Sequence, residues 1–204
     1  MSSYAVLIDA GFLKRKLGSR NQPMDSEDVK HFVENLRSHE SLVNSALHRI
    51  YYYDAPPLNS SIRKPLNGGR IDLGKTNLSR FNKGLLARIA KFPYFSLRLG
   101  EVTFRGWSIP NKYLPDSDDS ATSTKDNLIP NIQQKGVDMR IGLDIASLTL
   151  KRHVDVIVLV AGDSDFVPAM KFARREGVQF YLVAMGHSVR EPMYEHADLV
   201  LSLD

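Results

Sequence analysis

The chain has 204 residues, enough for one sizeable core, and its 43% hydrophobic and 25% charged content is ordinary for a soluble globular protein. It has no cysteine, which excludes disulfides and cysteine-rich zinc sites and fits a reducing, cytoplasmic setting. A net charge of +4 and a pI of about 9.2 tolerate a polyanionic partner without establishing one.

Residues 4–9 read as a fully buried strand that ends in Asp9. No basic or long apolar leader precedes it, so no signal peptide is expected, and no apolar run approaches the ~20 residues of a membrane helix. Residues 10–17 begin a helix. Asp25-Ser26-Glu27-Asp28 signals a second helix start, and Val29, Phe32, Val33 and Leu36 follow at helical spacing. Residues 46–54 form a strand, stopped by Pro56-Pro57. Residues 58–76, rich in Asn, Ser, Gly and basic side chains, read as an exposed connection. Residues 78–92 are helical, and residues 95–107 alternate as a strand with a bend at Gly100. Residues 108–127, with Asp116 to Thr124, have no means of building a core and read as a mobile insertion in a single domain spanning 1–204.

Residues 128–134 suit a short strand that pairs back to 95–107. Residues 138–150 form a helix, 154–161 the clearest buried strand, and 165–176 a helix closed by Gly177. A strand at 178–184, a short helix at 188–196 and a final strand at 199–201 complete the chain. Strands alternating with helices imply an α/β fold: a mostly parallel sheet covered on both faces.

Asp9, Asp138 and the pair Asp163-Ser164-Asp165 each lie at or near the start of a helical pattern, and two of these clusters directly follow buried strands. Ordinary helix capping explains any one of them. Their coincidence points to one sheet edge, where ligands bind in such folds. Gathered carboxylates repel unless a cation joins them, and an all-oxygen set suits Mg2+ or Mn2+ better than zinc. Gly162 suggests a tight turn, with Pro168 in the first turn of the helix that follows. Asp144 lies six residues beyond Asp138, about 120° around a helix, and reads as an outer contact or packing partner.

Three segments resemble NYN-domain proteins of the PIN-like nuclease superfamily: Lys135-Gly136-Val137-Asp138, Val160-Ala161-Gly162-Asp163-Ser164-Asp165-Phe166, and Val6-Leu7-Ile8-Asp9. They occur in the family's order. The resemblance implies a PIN-like three-layer sandwich and an acidic pocket of Asp9, Asp138, Asp163 and Asp165, acting as metal ligands and catalytic groups. It also implies Mg2+ or Mn2+ as cofactor and metal-dependent ribonuclease activity for at least some members. Many relatives carry an Asn two or three residues after the first acid, where this chain has Gly11-Phe12.

Lys14, Arg15 and Lys135 flank these acids and are candidate contacts to substrate phosphates. Tyr51-Tyr52-Tyr53 and Trp107 are candidates for base stacking, with at least one tyrosine in the core. RNA is the expected partner. DNA is not excluded, because no 2′-OH contact is identifiable, and a homo-oligomer is compatible with the chain. The alternative is a non-catalytic RNA- or protein-binding module that keeps the fold. An aspartyl-phosphate mechanism fits less well, because the Asp-x-Asp pair follows a late strand and precedes Phe166-Val167.

Overall fold

The computed structural model describes residues 2–19, 21–110 and 127–203. In chain order the elements begin with β1 (Ser3–Asp9), α1 (Ala10–Leu17), α2 (Ser26–Ser38) and β2 (Ala46–Asp54). A small hairpin of β3 (Ser61–Arg63) and β4 (Arg70–Asp72) precedes α3 (Asn77–Ile89) and β5 (Phe95–Leu99). Then come β6 (Glu101–Ser108), β7 (Ile129–Lys135), α4 (Val137–Leu150), β8 (Val156–Val160) and α5 (Val167–Arg175). The chain closes with β9 (Gln179–Val183), α6 (Glu191–Glu195) and β10 (Leu199–Val200).

Six strands make one parallel sheet in the order β10-β9-β8-β1-β2-β5. The run Tyr4-Ala5-Val6-Leu7-Ile8 is apolar throughout because both faces of the sheet are covered. Side chains alternate between the faces. Tyr4, Val6 and Ile8 pack with Phe32 and Leu36 of α2 and with Leu85 and Ile89 of α3. Ala5 and Leu7 pack with Ile141 and Ile145 of α4 and with Met170 of α5. Each buried Leu, Ile or Phe contributes about 1.5–3 kcal/mol, so these two cores dominate the stability. The expected α/β layers are present. Among the described residues no helix is long and apolar enough to cross a membrane.

Local chemistry sets the helix starts. The Asp25 carboxylate accepts from the backbone N–H groups of Glu27 and Asp28, and Asp28 accepts in return from the N–H of Asp25. A reciprocal box of this kind closes orphan donors worth about 0.5–2 kcal/mol.

Two segments differ from the sequence expectation. Residues 58–76 are not simply a connection, because the β3–β4 hairpin and a 3-10 turn at Leu73–Lys75 lie within them, with Ile62 and Leu73 buried. Residues 95–107 divide at Gly100 into two strands. β5 stays beside β2, while β6 leaves the sheet to pair antiparallel with β7. A Cβ at Gly100 would stand 2.6 Å from the Lys135 carbonyl oxygen, so only glycine lets the two segments pass there. The pairing of residues 128–134 back onto this region is as expected. Most of the insertion expected at 108–127, residues 111–126, lies outside the described residues.

Asp144 is the packing partner its helical position suggests. It accepts from the Tyr53 hydroxyl at 2.8 Å and from Arg98 Nε at 3.0 Å, joining α4 to β2 and β5. Asp144→Ala leaves the buried Tyr53 hydroxyl without an acceptor and is expected to cost about 1–3 kcal/mol in denaturant unfolding. An unchanged unfolding midpoint would show that this contact carries no stability.

Candidate functional site

The sheet order creates a crevice. From β1 the chain builds outward through β2 and β5, then returns to the opposite side of β1 as β8. This reversal is the kind of switch point at which open parallel sheets bind ligands, beyond the carboxyl ends of their strands. Asp9 ends β1, and Asp163 follows β8 after Ala161 and Gly162. Ile8 and Val160 are paired in the ladder, so the two acids leave adjacent strands on the same edge.

Each acid is placed by a local device. Asp9 caps α1, its Oδ1 accepting from the Gly11 N–H at 2.8 Å. Asp163 caps a 3-10 turn at Ser164–Phe166, its Oδ1 accepting from the Asp165 N–H at 3.0 Å. Pro168 then sits in the first turn of α5, as expected. Asp138 stands in the first turn of α4, which starts from Gly136 at φ +75, a left-handed conformation that favours glycine. The side-chain carboxylates of Asp138 and Asp165 have no hydrogen bond or ion pair to another described residue.

The charges of these residues act on one another. Burial pushes the Asp9 carboxyl above its ordinary pKa. Backbone N–H groups of Phe12 and Gly11, and the Arg15 charge, oppose the rise, while the Asp138 charge adds to it. The Asp138 carboxyl is also raised, first by partial desolvation and then by the charges of Asp163 and Asp165. The Asp138 charge thus acts on Asp9, while those of Asp163 and Asp165 act on Asp138. Among the described residues no group of three or more His or acidic side chains forms a ready-made metal site. The donors are nonetheless all carboxylate oxygens, a chemistry that fits a hard divalent cation.

Beside Asp163 a cavity of about 550 Å³ opens between α1 and the loop after β9, lined in part by Arg15, Lys16, His187 and Arg190. Its floor explains Gly162. A Cβ there would lie 2.7 Å from both Phe12 and His187, so the residue is glycine for want of space. This corrects the tight-turn reading, since Gly162 is not among the positive-φ residues. Phe12 is buried and meets the His187 ring edge-on at 5.8 Å.

The flanking cations divide. Arg15 stands close enough to Asp9 to oppose its raised pKa and lines the cavity. Lys14 turns the other way, to Asp54, with Nζ 2.6 Å from Oδ2. Lys135 is exposed at the end of β7 and forms no ion pair with a described acid. Asp54 escaped the sequence reading. It ends β2 as Asp9 ends β1, its side chain is 1% exposed, and it also accepts from the Ala55 N–H. The signal was there in Tyr51-Tyr52-Tyr53-Asp54, an apolar run ending in an acid. Arg174 is held by Asp198. The tyrosine run belongs to the core, with Tyr52 and Tyr53 fully buried and Tyr51 7% exposed, so none offers a face to a base. The Trp107 indole N–H is bonded to the Arg63 carbonyl.

Comparison with known proteins agrees with this architecture. The NYN domain family matches residues 108–204, a span that includes Asp138, Asp163 and Asp165 but not Asp9. No curated protein matches the chain. A solved structure of a protein of unknown function from Vibrio parahaemolyticus is similar in fold, with a TM-score of 0.52 at 15% identity. That alignment covers 100% of this chain and 93% of the other.

Two outcomes are expected. Gly162→Ala forces Phe12 or His187 to move and should cost about 1–3 kcal/mol in thermal or denaturant unfolding; wild-type stability would show the contact to be soft. Asp138→Asn removes the charge that acts on Asp9 and is repelled by Asp163 and Asp165. In chelator it should raise the thermal midpoint by about 2–4 °C, for screened repulsion of no more than ~1 kcal/mol. A lowered midpoint would contradict mutual repulsion at this edge.

Proposed function

We propose that the protein, whose residues 108–204 match the NYN domain family, is a metal-dependent ribonuclease of the PIN-like kind that hydrolyses RNA phosphodiester bonds. Asp9, Asp138, Asp163 and Asp165 are its metal ligands and catalytic groups. The observation that carries this reading is geometric: Asp9 and Asp163 leave the adjacent strands β1 and β8 on one edge, where burial first raises Asp9 and Asp138 and the charges of Asp138 on Asp9, and of Asp163 and Asp165 on Asp138, add to it. Acids gathered without cationic partners are destabilising unless they serve a ligand. Magnesium or manganese, when bound there, supplies a lowered pKa to water and offsets phosphate charge.

The remaining roles belong to the chain's own groups. Asp163 is steered through Oδ1 by the Asp165 N–H, which leaves its other oxygen for the ion, and Asp9 is steered by the N–H groups of Gly11 and Phe12. Among the described residues no group bonds the carboxylate oxygens of Asp138 or Asp165, so both oxygens of each are open to the ion. Arg15 stands beside Asp9 and holds a substrate phosphate; Lys135, at the root of α4, is placed to hold a second. Lys14 contributes mainly by neutralising Asp54, though its side chain remains 27% exposed. One observation favours the second reading, a non-catalytic RNA- or protein-binding module. Phe12 brings an apolar ring close to where relatives carry Asn, which removes a group that would orient water or phosphate.

The test is cleavage of a labelled mixed-sequence single-stranded RNA in manganese or magnesium, with the matching DNA in parallel. Wild type should cut the RNA, and both chelator and Asp163→Asn should reduce cleavage to background. Wild type that retains RNA without cutting it would establish the binding module instead.

A further inference from the structure

The turn after β9 is more constrained than a simple connection requires. Met185 (φ +48) and Gly186 (φ +66) are both left-handed, and the His187 N–H donates to the Ala184 carbonyl at 2.8 Å. This is a tight turn of the primed type, in which glycine is at ease and Met185 is strained. The turn brings His187 back over the end of β8. There its ring meets Phe12 and fills the space that a side chain at Gly162 would take. His187 nevertheless stays exposed. An exposed aromatic ring held edge-on by a buried one has already lost much of the freedom it would lose on binding.

That ring borders the cavity of about 550 Å³, together with Arg15, Lys16, Arg190 and Asp163. The volume lies within the range of small-ligand sites and exceeds the needs of a lone phosphate. Three cations against one acid make the lining attractive to an anion. Arg15 and Arg190 make no ion pair with a described residue.

We propose that this cavity seats one nucleotide of single-stranded RNA, next in line to the phosphate held at the aspartates. Its base stacks on His187, and its own phosphate is held by Arg15 and Arg190. The inference rests on the ribonuclease reading and adds a requirement that the acids alone do not impose. The base must be free of a partner strand, because a paired base cannot enter such a seat. Stacking reads the π-face of any base, so the seat selects single strands without selecting sequence.

The test is binding of a short labelled single-stranded RNA in magnesium, measured in the Asp138→Asn protein so that turnover does not interfere. A series of RNAs, each with one abasic position, is compared with the intact strand. His187→Ala should weaken intact RNA about five- to hundredfold, while His187→Phe should retain binding. One abasic position should weaken binding to the parent protein, and His187→Ala should no longer sense that position. Unchanged affinity in His187→Ala, or an undiminished abasic penalty, overturns the seat while leaving the ribonuclease reading in place. If the parent binds no RNA and wild type cleaves none, the ribonuclease reading falls and the seat falls with it.

Discussion

The parallel pairing of β1 with β8 sets Ile8 beside Val160, and it is the constraint on which the acidic edge depends. β2 and β5 occupy one side of β1, so the returning chain must pair on the other, and the strand ends splay apart where the order reverses. The apolar runs on both strands hold that pairing, because each side chain is buried against helices on one face or the other. Asp9 and Asp163 then need only follow their strands to emerge on the same edge. Asp138 arrives by a separate route, from the antiparallel ribbon of β6 and β7 through the left-handed Gly136 into α4.

Two ways of handling a carboxylate at this edge stand side by side. Asp54 is buried and neutralised by Lys14 at 2.6 Å, with a backbone N–H as a further donor. Removing one partner of such a pair costs about 3–5 kcal/mol, which makes it a structural contact that anchors α1 to β2. Among the described residues Asp138 and Asp165 have no comparable partner, and the repulsion Asp138 shares with Asp163 and Asp165 is left standing. A fold able to pair one acid so completely could have paired the others. Leaving them uncompensated beside a cavity lined by Arg15, Lys16 and Arg190 is the arrangement expected of a site built for a cation and a polyanion together.

Much of this was legible in the amino-acid sequence, because strong periodicity and helix-start chemistry reinforce one another. Val156 to Val160 could only be a buried strand, and Asp25 with Asp28 could only open a helix well. The four aspartates stood out through shared context rather than through any single motif. What escaped notice depended on contacts distant in sequence. The β3–β4 hairpin has three-residue strands, too short for a period to show. The split at Gly100 reflects the approach of Lys135, which local alternation does not report. The tyrosine run offered rings to bases on paper, but β2 lies between β1 and β5 and both its faces are covered. Gly162 was singled out for the wrong reason, since its neighbours Phe12 and His187 lie far away along the chain.

The position of a bound ion decides whether the four aspartates form one cation site. A crystal grown or soaked in manganese, with anomalous differences collected near the metal edge, would place any bound ion without reference to activity. The expected result is a peak bounded by Asp9, Asp138 and Asp163, with Asp165 alongside. A map with full manganese occupancy elsewhere and no peak at this edge would contradict it, and would leave the acids as helix caps.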